Sequence, residues 1–109
     1  LKWPSIATQL HRRELERGTP AGHLHAALAE RYACELFVRV PALCEPASLA
    51  EGFFDIQACN DTNNVDLFVF ANDAQVLLMS RLDNLGKGAS GAAVQSMNVH
   101  LGMDEGTGL

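Results

Sequence analysis

A junction rich in small residues dominates what this chain can fold into. Leu82-Asp83-Asn84-Leu85-Gly86-Lys87-Gly88-Ala89-Ser90-Gly91-Ala92-Ala93-Val94-Gln95 joins the end of an apolar strand to a helix of small side chains. Gly86, Gly88 and Gly91 spell a literal G-x-G-x-x-G. A dinucleotide fingerprint of that form needs a second parallel strand beyond the helix, with an acidic residue about 20 residues on. No such strand comes before Leu109, so a βαβ unit around these glycines is rejected.

The rest of the pattern alternates strands and helices. Trp3–Leu10 alternates loosely and reads as a strand whose Pro4 suits an edge or a start. Thr19 and Pro20 form a helix start, with Pro at the first helical position where its missing N–H costs nothing. From Pro20 to about Cys34 the spacing is helical, with Leu24, Ala27, Leu28, Arg31 and Tyr32 on one stripe. Leu36–Val40 reads as a strand that Pro41 ends. The stretch from Pro41 to Asn64 is turn-rich, with a short strand at Phe53–Ile56. Val65–Phe70 and Gln75–Leu82 form a hairpin around Ala71–Ala74. A final helix runs from Gly86 or Gly88 to Leu101, with Gly102 as its C′ cap. This order predicts an α+β fold: a mostly antiparallel sheet with helices on one face, ending in a small-residue helix.

Size and charge narrow the function. With 109 residues the chain is a single domain or a fragment, 1–109. Its net charge of −5 disfavours nucleic acid and anionic membrane as partners. No run approaches the ~18 apolar residues of a membrane span. Position 1 is Leu rather than Met, which points to a processed chain or a piece of a longer one. Cys34, Cys44 and Cys59 are odd in number and lack a C-x-x-C, against a disulfide framework or zinc site and in keeping with a reducing cytoplasm. His23 and His25 are two apart on a helix and point to different faces, so no metal site is expected.

The junction holds the candidate chemistry. Asp83 or Asn84 can cap the helix by accepting a backbone N–H; alternatively, the Asn84 amide faces a ligand. Three glycines in the first helical turns cost about 1 kcal/mol each relative to Ala. Either close backbone packing or approach to a ligand at the helix N-terminus must offset that cost. Lys87 is a solvated lysine or a counter-charge for phosphate. Ser90 and Gln95 are assigned to packing and helix hydrogen bonds.

The run from Asp83 to Gln95 closely resembles the carboxy-terminal signature of N-acetyl-gamma-glutamyl-phosphate reductases, the shorter of the family's two types. Leu101–Leu109 is similar to the family's tail, and Leu24–Tyr32 and Phe37–Val40 to the segment upstream. The likeness covers about Thr19 to Leu109. It implies part of the second domain of semialdehyde dehydrogenase-type enzymes, which carries the substrate site and the dimer interface, with the last helix packing on the nucleotide-binding domain. It implies NADP as cofactor, N-acetyl-glutamyl phosphate as substrate, a homo-oligomer and a cytoplasmic location. Residues 82–101 become a cofactor-facing strand–helix junction. Asn84 falls at the nicotinamide carboxamide, with Gly86, Lys87 and Gly88 beside it. An amide suits that place because it donates and accepts at once.

The family's chemistry also requires a cysteine nucleophile and a histidine base. The family's cysteine motif, Asn-Pro-Gly-Cys-Tyr-Pro in type, matches none of the contexts of Cys34, Cys44 or Cys59. His23-Leu24-His25 has different neighbours from the family's catalytic histidine motif. The segment alone is therefore expected to be inactive and to hold no catalytic residue. The alternative is a non-catalytic remnant acting as an interaction or assembly module.

Overall fold

The computed structural model describes residues 10–11, 21–44, 49–50, 53–72 and 74–109. Its elements are β1 (Leu10–His11), α1 (Ala21–Arg31), β2 (Val38–Arg39), β3 (Leu49–Ala50), β4 (Phe53–Phe54), β5 (Val65–Ala71), β6 (Val76–Leu82), a π-helical turn (Gly86–Ser90) and α2 (Gly91–His100). Apart from Leu10, which lies in β1, the strand expected over Trp3–Leu10 falls outside the described residues, as does the helix start at Thr19–Pro20.

The hairpin forms as its β-branched and aromatic content predicts. β5 and β6 pair antiparallel from Val65↔Leu82 to Ala71↔Val76. The loop sits one residue later than expected because Asn72 builds it. Asn72 Oδ1 accepts the N–H groups of Ala74 and Gln75, each at 2.9 Å. Its own N–H donates to the Gln75 carbonyl at 3.0 Å.

The main sheet has the order β1-β6-β5-β2. β1 pairs antiparallel with β6, whereas β2 pairs parallel with β5. The α+β expectation holds, and the main sheet is mixed, with two of its three described pairings antiparallel and one parallel. A parallel pair needs a long crossover, and the chain between β2 and β5 supplies it. That crossover contains a small second sheet, the antiparallel pair β3–β4. The short strand expected at Phe53–Ile56 is present as β4 over Phe53–Phe54, whereas its partner β3 had no signal in the turn-rich composition.

Helix α1 contacts β5. The buried stripe is rotated from the one expected. Leu24, His25, Leu28, Ala29 and Tyr32 are half-buried, while Ala27 and Arg31 are exposed. His25 lies on the inward side and is bonded there: its Nε2 lies 2.7 Å from the Pro41 carbonyl, a bond that requires the proton on Nε2. The helix stops at Arg31, and turns carry the chain on to Glu35.

Strand alternation puts Asp66, Phe68 and Phe70 on one face with Arg81 and Met79 opposite them. Phe54 stands edge-on to Phe68 and Phe70, at centroid distances of 5.1 and 6.4 Å. Among these rings lies an ion cluster. Arg81 donates from Nε and Nη2 to Asp66 Oδ2 at 3.0 and 2.7 Å, and its Nη1 reaches the Asp55 carbonyl at 2.5 Å. Its guanidinium also lies 4.9 Å from the Phe68 centroid and 5.2 Å from that of Phe54. Arg39 Nε donates to Asp66 Oδ1 at 2.6 Å. Asp66, at 2% exposure, is thus buried but fully paired. Burial pushes its carboxyl pKa upward, but the hydrogen bonds from Arg39 and Arg81 outweigh burial and hold it below the ordinary value. The Cys59 thiol, 3.2 Å from Asp66 Oδ2, is pushed up by burial and by that hydrogen bond.

Candidate functional site

β6 delivers the chain into the junction at Leu82, and Asp83 organises the turn beyond it. Asp83 Oδ1 accepts the Leu85 N–H at 2.8 Å, and Oδ2 accepts the Asp61 N–H, also at 2.8 Å. These backbone donors, with Gly86 as a third, hold its carboxyl below the usual range. Neither candidate is the N-cap, which falls at Leu85 without a side-chain cap bond; Asp83 instead braces the turn just ahead of the helix. Asn84 is exposed, and its side chain makes no hydrogen bond among the described residues.

The helix does not begin as an α-helix. Gly88 N–H donates to Asp83 O at 2.9 Å and Ser90 N–H to Leu85 O at 3.0 Å, both spanning five residues. Gly91 N–H likewise reaches Gly86 O. Residues 86–90 therefore form a π-helical turn, a device often found at functional sites. Ser90 Oγ donates to Leu85 O at 2.8 Å, as its assignment to helix hydrogen bonding anticipated.

Two of the three glycines are explained by close packing. A Cβ on Gly86 would lie 2.7 Å from the Thr62 carbonyl oxygen. One on Gly91 would lie 2.3 Å from Asn63 Oδ1 and 2.9 Å from the Gly86 backbone. The turn 59–64 presses directly on the junction. It is self-braced: Thr62 Oγ1 donates to the Cys59 carbonyl at 2.7 Å, and Asp61 adopts φ 59°. Gly88 is different. It is exposed, and the nearest atom to a Cβ there would be Asn84 Oδ1, at 3.0 Å.

Lys87 is neither freely solvated nor ion-paired among the described residues. Its Nζ donates to Gln95 Oε1 and lies 5.6 Å from the Phe37 ring centroid. Gln95, expected to serve packing and helix hydrogen bonds, is instead the hub of side-chain bonds at this corner. It accepts from Lys87 and from Asn63 Nδ2, the latter at 2.9 Å, and donates to Glu105 Oε1. Lys87, Gln95, Ser96, Val99 and His100 line an open groove of about 460 Å³. Neither Asn63 nor Glu105 was singled out as a site residue: turn-rich composition marked the first, and the second lay in the family-like tail.

The expected C′ role of Gly102 is met at φ 67°. Gly102 N–H donates to Val99 O at 3.2 Å and Met103 N–H to Asn98 O at 2.9 Å, the paired bonds of a Schellman motif. Asn98, at 1% exposure, donates from Nδ2 to the carbonyls of Glu105 and Thr107. The tail is thereby folded back onto α2.

No family model matches the chain. Individual proteins do. The chain is 52% identical over 94 residues to the N-acetyl-gamma-glutamyl-phosphate reductase of Trichormus variabilis, covering 83% of this chain. It is 51% identical over 94 residues to N-acetyl-gamma-glutamyl-phosphate reductase 2 of Nostoc sp., covering 83% of this chain. It is also 42% identical over 99 residues to the enzyme of Burkholderia lata, covering 89% of this chain and 31% of that protein. The chain spans about 29% of the length of the first two relatives. With identity this high over most of its residues, the chain belongs, as a partial-length match, to the N-acetyl-gamma-glutamyl-phosphate reductase family.

Proposed function

We propose that this chain is the carboxy-terminal, cofactor-facing part of an N-acetyl-gamma-glutamyl-phosphate reductase. The complete enzyme reduces N-acetyl-glutamyl phosphate to the semialdehyde, releases phosphate and serves arginine biosynthesis in the cytoplasm. The observation that carries this reading is the Asn84 amide, exposed and unpartnered among the described residues on a turn that Asp83 locks. Its donor and acceptor fit a nicotinamide carboxamide. NADPH, when bound, supplies the hydride.

The residues of this chain bind and orient. Asn84 pairs with the carboxamide and fixes which ring face is presented. Gly86 and Gly88 keep the backbone of the turn low beside it. Lys87, its amine steered by Gln95 Oε1 and lacking a carboxylate partner among the described residues, provides positive charge for a phosphate group. Nucleophile and base come from outside these 109 residues. Met97, Val99, Leu101 and Met103 stand exposed on α2 and just beyond it. That apolar surface supports a helix packed against further protein in a homo-oligomeric enzyme.

The test is Asn84→Ala in a full-length reductase carrying this segment. NADPH affinity should fall about tenfold, the worth of one well-made hydrogen bond, with the melting temperature unchanged. Unaltered affinity would remove the carboxamide assignment.

A further inference from the structure

We propose that Gly88 is a positioning residue whose missing side chain sets the orientation of the Asn84 amide. This rests on Asn84 as the partner of the carboxamide and assigns Gly88 an indirect role in that pairing.

The three junction glycines face three different neighbours. Gly86 is closed off by a backbone carbonyl, and Gly91 by a buried side chain together with backbone. Neither neighbour can yield cheaply, so both glycines are required by the fold. A Cβ on Gly88 would meet Asn84 Oδ1 at 3.0 Å and Asn84 Cγ at 3.5 Å, with Leu82 Cδ1 at 3.4 Å. The closest of these atoms belongs to an exposed side chain with no hydrogen bond holding it among the described residues. Asn84 can therefore rotate away from an added methyl without disturbing the turn. What changes is where its amide points. A neutral amide read by a ligand is sensitive to that change, because its hydrogen bonds weaken steeply with misalignment.

Stability and binding should then move apart. An alanine in a helical turn is better tolerated than glycine, so the fold loses nothing. The ligand loses a pre-aimed partner, and the complex must spend binding free energy to restore it. A merely structural glycine would show the opposite pattern, with melting temperature and affinity falling together.

The experiment is a double-mutant cycle in a full-length reductase carrying this segment: Gly88→Ala, Asn84→Ala and the pair. Two readouts are the dissociation constant for NADPH by fluorescence titration and the melting temperature; a third is KM for NADPH against kcat. Gly88→Ala should weaken NADPH binding roughly fivefold to tenfold, raise KM more than it lowers kcat, and leave the melting temperature equal or higher. In the Asn84→Ala background it should do nothing further, since the group it displaces is gone. Full additivity of the two substitutions would overturn the proposal, as would a Gly88→Ala protein that binds normally. An Asn84→Ala protein with unchanged affinity would instead overturn the cofactor reading beneath it.

Discussion

The carboxylate of Asp83 accepts the backbone N–H of Asp61 at 2.8 Å across 22 residues of sequence. That bond ties the end of the crossover to the start of the candidate site. The same carboxylate caps the turn through Leu85 N–H. Asp83→Ala should therefore lower the melting temperature and loosen residues 59–64 and 83–90 together. Hydrogen exchange should show the Asp61 and Leu85 amides losing protection in the variant while the β5–β6 ladder keeps its own.

Acid should act on the same groups. Asp83 and Asp66 both have carboxyl pKa values below their ordinary range. Ionised partners of this kind contribute stability that is fully present above the unfolded carboxylate pKa. That stability is lost as pH falls through the lower, folded values. Urea midpoints should thus be flat near neutrality and decline as pH drops below the ordinary carboxylate range. In Asp66→Asn the decline should be shallower, because one of the carboxyls with a lowered pKa has been removed.

The Asp66 cluster and the Arg31–Glu35 pair give a graded test of ion pairing. Removing one partner of a buried pair leaves an uncompensated charge and costs about 3–5 kcal/mol. Asp66→Ala strands the 9%-exposed Arg81 side chain and should fall in that range. Arg39→Ala should cost less, since its side chain is 51% exposed. Arg31→Ala, from a pair exposed at 68% and 42%, should cost about 0.3–0.5 kcal/mol. Chemical denaturation of the three variants should return that order.

Much of the scaffold was legible because it follows local rules. The hairpin announces itself through β-prone runs around Ala71–Ala74, and Gly102 through its place after the last helical residue. The tertiary exceptions were not legible. His25 faces inward, where a carbonyl 16 residues away accepts its hydrogen bond. Asp66 and Arg81 lie inside strands whose alternation shows only that they share a face, not that Phe54 and Phe68 will enclose them. Asn84, Gly86, Lys87 and Gly88 were given site roles by resemblance; Gln95 lies in the same run, but its bond to Asn63 across 32 residues is a tertiary contact that no local pattern shows. The π-helical turn packs against Thr62 and Asn63, a contact that no helical periodicity encodes.

Glycine substitutions should separate packing from freedom. Gly91→Ala drives a methyl into Asn63 Oδ1 and the Gly86 backbone, a clash of the kind that costs about 1–3 kcal/mol. Gly22, in α1, has nothing among the described residues within 4 Å of an added Cβ. Gly22→Ala should stabilise by about 0.5–1 kcal/mol through helix propensity alone. Thermal melts of the two variants should shift in opposite directions.

Cysteine labelling gives a check on the core that needs no substitution. Cys34 and Cys44 are exposed, while Cys59 is 1% exposed beneath the Asp66 cluster. Alkylation needs the thiolate and access to it. Cys59 lacks access, and burial pushes its thiol pKa up, further depleting the thiolate. Under native conditions, iodoacetamide should therefore add two groups quickly, with the third appearing only on unfolding. Intact mass against time would read this directly, and peptide mapping would assign the slow site to Cys59. Asp66→Ala, by opening the cluster, should bring the third group forward in time. Equal rates at all three cysteines in the native protein would mean that the face of β5 and β6 bearing Asp66 and Arg81 is not closed.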